Sequence, residues 1–220
     1  NSSPEQSPNM DAPAGGRETS VPANPEPDFA NPGPIEATPQ RPGDPAKGYD
    51  ALLNKPYVSC GLPARIYDQV QGSPSPSAKV DGRNDANMNR AYFETEYTNE
   101  DGPQLVTTNC LVCHAAYIEG QLKIGLGNES SNFTMDTGAP ARAARALATT
   151  PEEAKALDKW GKRVETIAPY VLLDTVGVNP ADNLTAALIA HRDRDTLEWH
   201  DEPLLEMPTV EVIPLSVPPW

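Results

Sequence analysis

The hydrophobic and polar positions predict helices mainly in the second half of the chain. Between Ala154 and Ile167, apolar side chains recur at spacings of three and four residues, which is the period of an amphipathic helix. Thr150 and Pro151 precede this segment, and a glutamate follows the threonine by three residues, a pattern typical of a helix start. An alanine-rich segment at 139–148 and an apolar stripe after residue 180 predict two further helices.

One short segment has the alternation typical of strands. Apolar and polar residues alternate on both sides of Glu119-Gly120, which predicts a small β-hairpin. Immediately before it, Thr107 or Thr108 is expected to cap a helix that runs to about Tyr117. The predicted fold class is therefore mainly α, with extended irregular segments and one small hairpin.

The first 45 residues differ in composition from the rest of the chain. They hold 11 of the 25 prolines and a single aromatic residue, Phe29. Such a segment cannot bury enough apolar surface to offset the entropy lost on ordering. We therefore expect an extended, polyproline-like leader at 1–45 and one domain at 46–220. The tail has no helix cap or charged end, and we expect the native polypeptide to continue past Trp220.

The charge of the chain argues against two kinds of partner. The formal net charge is −14 at pH 7. Nucleic acids and anionic lipids both attract clusters of Lys and Arg, so neither is an expected partner. No run of about 18 apolar residues is present, so no membrane-spanning helix is expected. The start Asn1-Ser2-Ser3 would fit the residues after a lipidated cysteine, which keeps a lipid anchor open.

The clearest chemical signal is the run Cys110-Leu111-Val112-Cys113-His114. A C-x-x-C-H motif is the attachment signal for a c-type haem. The two thiols would form thioether bonds to the porphyrin vinyl groups, and His114 would be the proximal iron ligand. A zinc site would need a second pair of ligands, and Cys60 alone is a poor one. Cys60 is expected to be a small buried apolar residue.

The iron ligand opposite His114 determines the chemistry of such a site. A Met or His there gives a closed iron suited to electron transfer, whereas an empty position can bind oxygen or peroxide. His191 is one candidate, on the apolar face of the third predicted helix, where a satisfied core histidine is the alternative. Met207, before a proline, is a second candidate or an ordinary apolar residue, and Met135, in a loop after the motif, is a third.

The haem propionates would need cationic or hydrogen-bonding partners. Arg142 and Arg145 lie one turn apart on the alanine-rich helix and are the first choice. Arg65 and Arg90 come next. The alternative for each is a solvated arginine on an exposed face.

Several segments together resemble a known superfamily. They are Tyr57–Tyr67, Asn109–Asn128 around the motif, Asp195–Trp199 and Val217–Trp220. The motif resembles the c-type cytochromes, and the wider stretch is similar to the N-terminal haem half of large di-haem cytochromes related to the di-haem peroxidases and the rubber oxygenase. The resemblance implies one electron-transfer haem and one haem that meets peroxide or oxygen, but this chain has a single C-x-x-C-H. Only Cys110, Cys113 and His114 are carried over from the family.

The sequence predicts a mono-haem c-type cytochrome domain that passes single electrons to or from a redox partner protein. Because haem c is attached outside the cytoplasm, we expect export to the periplasm or cell surface. The alternative is the haem-bearing half or subunit of a peroxidase- or oxygenase-type enzyme with an open sixth iron position. A third interpretation is a subunit whose main task is assembly, with the leader wrapping a neighbouring chain and the haem as one relay among several. A second haem-bearing subunit is a candidate for the redox partner. The acidic surface would steer a basic partner.

Overall fold

The computed structural model describes residue 39 and residues 42–72, 78–99 and 102–219. Within this part of the chain, 36% of the residues are helical and 14% lie in strands, in five helices and two small sheets. The prediction of a mainly α fold is therefore wrong, because the domain is a mixed α/β fold. The chain from Gly43 to Trp220 forms one compact unit. The predicted leader at 1–45 lies outside the described residues, except for Pro39 and the residues from Pro42 onward.

The helices and strands follow one another in mixed order along the chain. The helices are α1 Pro45–Asn54, α2 Ala64–Gln71, α3 Gly138–Ala144, α4 Pro151–Ile167 and α5 Ala181–Ala190. The strands are β1 Leu62–Pro63, β2 Glu94–Thr98, β3 Gln104–Thr108, β4 Ala115–Ile118 and β5 Gln121–Ile124. Short 3₁₀ turns occur at Cys110–Val112, Arg145–Leu147 and Ala168–Tyr170.

The larger sheet is the element that the hydrophobic pattern did not predict. It has the strand order β1-β3-β2, and both pairings are antiparallel. The central strand β3 contains Leu105 and Val106, each only 2% exposed, so both faces of the sheet are covered there. Two adjacent buried residues break the period of two that identifies a half-exposed strand. This is why the strand escaped detection and why the fold class was mistaken.

The smaller sheet is the predicted hairpin, which the structure confirms. Strands β4 and β5 pair in register, with Tyr117 opposite Leu122. The two turn residues, Glu119 and Gly120, have φ angles of 50° and 77°. Positive φ at both central positions is the requirement of a type I′ turn, whose twist matches that of the flanking strands.

The predicted start of α4 is also confirmed. Thr150 caps the helix, and its side chain accepts a hydrogen bond from the backbone N–H of Glu153 at 3.2 Å. The Glu153 carboxylate accepts two bonds from Arg65 at 2.7 Å and one from the backbone N–H of Thr149 at 2.9 Å. These bonds explain why a glutamate only 6% exposed is tolerated on the inner side of the helix, beside Leu157.

The substitution Glu153→Gln should weaken the fold in a pH-dependent way. The hydrogen bonds from Arg65 and from the backbone of Thr149 lower the pKa of Glu153 to about 2. A carboxyl group with a depressed folded-state pKa stabilises the fold above its unfolded pKa of about 4.3. That contribution is lost as the pH falls toward the folded value. We expect a loss of about 1–2 kcal/mol at pH 7.

Urea unfolding of the wild type and the variant at neutral and acid pH measures this effect. The difference in unfolding free energy should shrink as the pH falls from about 4.3 toward 2. The neighbouring exposed residue provides a matched control, since Glu152→Gln should change stability by less than about 0.5 kcal/mol. A Glu153→Gln deficit that stayed constant over this pH range would contradict the assignment.

Candidate functional site

The C-x-x-C-H run lies on a single turn between the two sheets. Cys110–Val112 forms one 3₁₀ turn, and β4 begins at Ala115. The prediction of a helix from Thr107 or Thr108 to about Tyr117 is therefore wrong. Both threonines belong to β3, where Thr108 pairs with Glu94. The residue that caps the turn is Asn109, whose side chain accepts the N–H of Leu111 at 2.9 Å.

Backbone hydrogen bonds hold the turn from both sides. The N–H groups of Cys113 and His114 both donate to the carbonyl of Cys110, at 3.4 and 3.1 Å. On the hairpin side, Gly125 donates to the carbonyl of His114 at 2.9 Å. Asn128 binds two more carbonyls, with its backbone N–H on Cys113 and its side-chain amide on Val112, each at 2.9 Å. The backbone of the motif is therefore held by hydrogen bonds on both sides.

Asn109 is a functional residue that the sequence reasoning missed. It is fully buried, and its amide donates to the carbonyl of Tyr92 at 2.9 Å and to Thr95 Oγ1 at 3.1 Å. The same side chain caps the turn through Leu111. Asn109 thus joins β2 to the turn that begins at Cys110. Asparagine before a turn is a recognised capping signal, and it could have indicated this role.

Removal of the Asn109 side chain should destabilise the turn and the sheet together. We expect Asn109→Ala to lose about 2–3 kcal/mol, because the cap is lost and buried groups on β2 lose their partner. Thermal and urea unfolding measure this loss. Asn89 is exposed and bound only to Lys79, so Asn89→Ala is the control. Equal stabilities for the two variants would show that Asn109 does not hold the turn.

The three cysteines differ in their surroundings. None forms a disulfide, and Cys60 is 5% exposed, which matches the expected buried apolar role. Cys110 and Cys113 are both partly exposed. The Cys113 sulfur accepts a hydrogen bond from the side-chain amide of Asn179 at 3.0 Å. Burial raises the pKa of the Cys113 thiol, against a smaller lowering by the Asn179 bond, so the thiol is protonated at neutral pH.

The donor set at this turn fits a covalent haem c. Both thiols are unbridged and accessible, and burial lowers the pKa of His114, which favours the neutral imidazole that binds metals. Among the described residues, no group of three or more His, Cys, Asp or Glu side chains is placed to hold one metal ion. Haem attachment needs no such cluster, because the thiols bond to the porphyrin edge and the imidazole alone binds the iron.

The motif has an apolar wall behind it and a cleft beside it. Leu111 and Ala115 are fully buried and pack in one core cluster with Leu53 and Tyr92. Beside the hairpin lies a cleft of about 530 Å³. Its lining includes Tyr117, Ile118, Leu126, Val217, Pro218 and Pro219. The C-terminal segment approaches so closely that a Cβ on Gly127 would collide with the carbonyl oxygen of Val217.

The aromatic residues before β2 contribute to this wall. The rings of Tyr92 and Phe93 meet edge to face with centroids 5.0 Å apart, and the Tyr92 ring meets that of Tyr117 at 6.0 Å. Because Tyr92 also packs on Leu111, the aromatic cluster reaches from the larger sheet to the hairpin across the motif.

The structure places the three candidate sixth ligands in different surroundings. His191 is 3% exposed, stacks on Trp199 with centroids 4.7 Å apart, and shares its Nδ1 with the carbonyl of His200 at 2.8 Å. His191 lies directly after the C-terminal end of α5. The ten-residue helix is about 15 Å long, and Asn179 lies near its opposite, N-terminal end. Met135 is 68% exposed in its loop, and Met207 is half-buried in an irregular segment.

The arginines predicted to meet the propionates are bound to carboxylates of the protein. Arg142 pairs with Asp136 at 3.3 Å, and both side chains are more than half exposed. Arg145 pairs with Glu165 at 2.7 Å in a less exposed position. Arg65 and Arg90 also form ion pairs, Arg65 with Glu153 and Arg90 with two acidic residues. The exposed Arg142 pair is the weakest type of ion pair and the easiest to exchange for a propionate.

Arg83 supports the site from within the core. Its guanidinium is 9% exposed and donates to the carbonyls of Leu53 at 2.9 Å, of Ala91 at 2.7 Å and of Glu94. Burial lowers the pKa of Arg83 to about 10, so it remains charged at neutral pH. These bonds join the end of α1 to the segment that carries Tyr92. An arginine in a loop rich in Asn and Asp gave no signal of this role.

Comparisons with known proteins identified no relative. A scan against protein-family models, a search of curated proteins and a search of solved structures each found no match. The resemblance to the di-haem cytochromes therefore stays a prediction from the residues themselves. Within the described ranges, no helix combines the length and the apolar character needed to cross a membrane.

Proposed function

We propose that this chain is an exported mono-haem c-type cytochrome that carries single electrons to or from a redox partner protein. The observation that carries the proposal is the C-x-x-C-H turn. It presents two unbridged, accessible thiols and an adjacent imidazole on one hydrogen-bonded turn. A haem c bound there would supply a one-electron iron couple.

Each residue of the motif has a defined task in this proposal. Cys110 and Cys113 would hold the haem through two thioether bonds, each formed by addition of a thiol S–H across a porphyrin vinyl group, which uses no oxidant or reductant. The neutral imidazole of His114 would bind the iron. Asn109 and Asn128 keep the turn in place, and the core around Leu111 excludes water behind it.

The cellular location and the partner follow from the same chemistry. Haem c is attached on the outer side of the bacterial cytoplasmic membrane, so the proposed location is the periplasm or cell surface. The proposed partner is a redox protein, such as a second haem-bearing subunit. With a net charge of −14, the chain would associate fastest with a basic partner, and added salt would slow that association.

A second candidate is a haem enzyme, or part of one, with an open sixth iron position. One observation favours it. The Met135 side chain is 68% exposed in its loop and would have to leave solvent to close the iron. The bond between His191 Nδ1 and the His200 carbonyl does not argue against ligation through Nε2, because a metal-bound histidine commonly bonds a backbone carbonyl through its other ring nitrogen. An open position would suit peroxide or oxygen chemistry.

Absorption spectra separate the two candidates. The full chain is produced in a bacterium with haem c attachment machinery and measured oxidised, dithionite-reduced and reduced under carbon monoxide. A low-spin spectrum unchanged by carbon monoxide supports electron transfer. His191→Ala, Met207→Ala and Met135→Ala then show which residue closes the iron, because only that variant should bind carbon monoxide. Ready binding by the wild type favours the enzyme, and a chain without haem overturns both.

A further inference from the structure

The segment after α5 folds back along that helix. Residues 204–215, which we term the strap, run antiparallel to α5 from its end to its beginning. Three sets of hydrogen bonds fix this arrangement, joining Leu204 to Ala190, Thr209 to Asn183 and Leu215 to Asn179. The last strap residue, Leu215, is therefore paired with Asn179, whose side-chain amide donates a hydrogen bond to the Cys113 sulfur.

The outer surface of α5 and the strap is unusually apolar. Five large apolar side chains there are about half exposed or more, namely Ile189, Leu204, Leu205, Val210 and Ile213. Their positions follow from the strap hydrogen bonds, because Leu204 and Leu205 bind Ala190, whereas Ile213 binds Asn183. Seven helical residues separate these two anchor points, which is a distance of about 10 Å. These five side chains, which we term the patch, therefore all lie on α5 or on the strap that is hydrogen-bonded to it.

The sequence of α5 indicates that another molecular surface covers this patch when the protein functions. From Ala186 to Ala190 every residue is apolar, so the second half of the helix has no polar face. Ala187 and Ala190 are buried against the domain, whereas Ala186 and Ile189 are exposed. A helix that is apolar on all sides is normally covered on all sides. Contiguous exposed apolar patches commonly mark interaction sites.

Acidic side chains predominate in the segment that carries the patch. Residues 195–219 contain no Lys or Arg. They contain six acidic residues, Asp195, Glu198, Asp201, Glu202, Glu206 and Glu211, and all six side chains are exposed. The basic residues near this segment are Lys162 of α4, 3.8 Å from Asp201, Arg163, whose guanidinium lies over the Trp199 ring, and Arg192 and Arg194, which directly precede it. The patch is therefore an apolar surface with an acidic rim.

We propose that α5 and the strap form a docking face for a protein partner whose own surface has an apolar centre ringed by Lys and Arg. A second copy of this chain does not fit, because its acidic rim would meet the same charges. An anionic lipid surface is repelled for the same reason. The inference does not depend on haem attachment.

Calorimetric titration with a designed peptide tests the docking face. The probe is an amphipathic helix with a leucine stripe flanked by lysines, added to the full chain at low and at high salt. We expect saturable binding that weakens with salt and falls at least about tenfold in Leu205→Ser and in the pair Glu206→Gln/Glu211→Gln. All three residues are exposed, so the variants should fold, and thermal melting checks this.

Two matched variants and two altered peptides complete the experiment. Val70→Ser and Glu152→Gln remove an exposed apolar and an exposed acidic side chain from other surfaces and should leave the affinity unchanged. A peptide with glutamates for the lysines, or serines for the leucines, should not bind. Absence of binding, or binding that the docking-face variants leave unchanged, overturns the proposal. Self-association that Leu205→Ser abolishes would assign the face to a second copy and also overturn it.

Discussion

The double substitution Cys110→Ala/Cys113→Ala is expected to abolish covalent haem retention completely. Both thiols are unbridged and accessible on one turn, and the described structure has no other exposed thiol. Without them, no thioether can form, and any haem held by His114 alone would be lost on denaturation. Denaturing electrophoresis followed by a haem stain measures retention directly, and a pyridine haemochrome spectrum counts the remaining bonds.

Single substitutions make this prediction specific to the motif. Cys113→Ala should retain haem through one thioether and shift the reduced absorption band to longer wavelength, since one vinyl group stays unsaturated. Cys60→Ala is the control, because Cys60 is buried in the core and should not affect retention. His114→Ala should lose the proximal ligand and its low-spin spectrum. Full retention in the double variant would refute the role given to the motif.

The substitution Arg83→Met is expected to have the largest effect on stability, a loss of about 3–5 kcal/mol. Methionine fills part of the same volume but cannot donate hydrogen bonds. The carbonyls of Leu53, Ala91 and Glu94 would lose a buried donor. Each unsatisfied group costs about 1–3 kcal/mol. Urea unfolding of the purified chain measures the change.

Arg142 offers the matched control for Arg83. It is an exposed arginine in a surface ion pair with Asp136, so Arg142→Met should change stability by less than about 1 kcal/mol. Arg83→Lys should fall between the two, because lysine keeps the charge but not the planar set of donors. A stability for Arg83→Met equal to that of Arg142→Met would show that the buried network contributes little.

Local signals predicted the elements whose cause lies in a few adjacent residues. The start of α4 depends on a threonine cap followed by a proline, and the structure has both in those roles, whereas the Glu153 carboxylate binds Arg65 and the backbone N–H of Thr149. The hairpin depends on the Glu119-Gly120 turn, where the left-handed backbone is reached at both positions. The threonine cap of α4 and the hairpin turn can be recognised without information from elsewhere in the chain.

The sequence did not predict correctly the elements that depend on residues far away in the chain. Strand β3 is covered on both faces and therefore shows no alternation at Leu105 and Val106. Its pairing with β2 continues through Thr108, so the turn begins only at Cys110 with Asn109 as its cap, and the motif forms a single 3₁₀ turn. Propensity at the threonines favoured a cap, and tertiary pairing overrode it.

The candidate site also combines a local feature, which the sequence predicts, with contacts between distant residues, which it does not predict. The C-x-x-C-H run is a local motif and was recognisable from the sequence. The supports around it are not local, since Asn179 lies 66 residues from Cys113, and Asn109 binds groups 14 to 17 residues away on another strand. No spacing rule links such pairs. Arg83 is identified only by its burial and by the carbonyls around it.

The most direct test of haem attachment is the intact mass of the chain after export in a bacterium that attaches haem c. We expect the mass of the polypeptide plus one haem, under denaturing conditions, and only one thiol, Cys60, left to alkylate. A chain at its unmodified mass, with all three thiols alkylated, would contradict the proposed function.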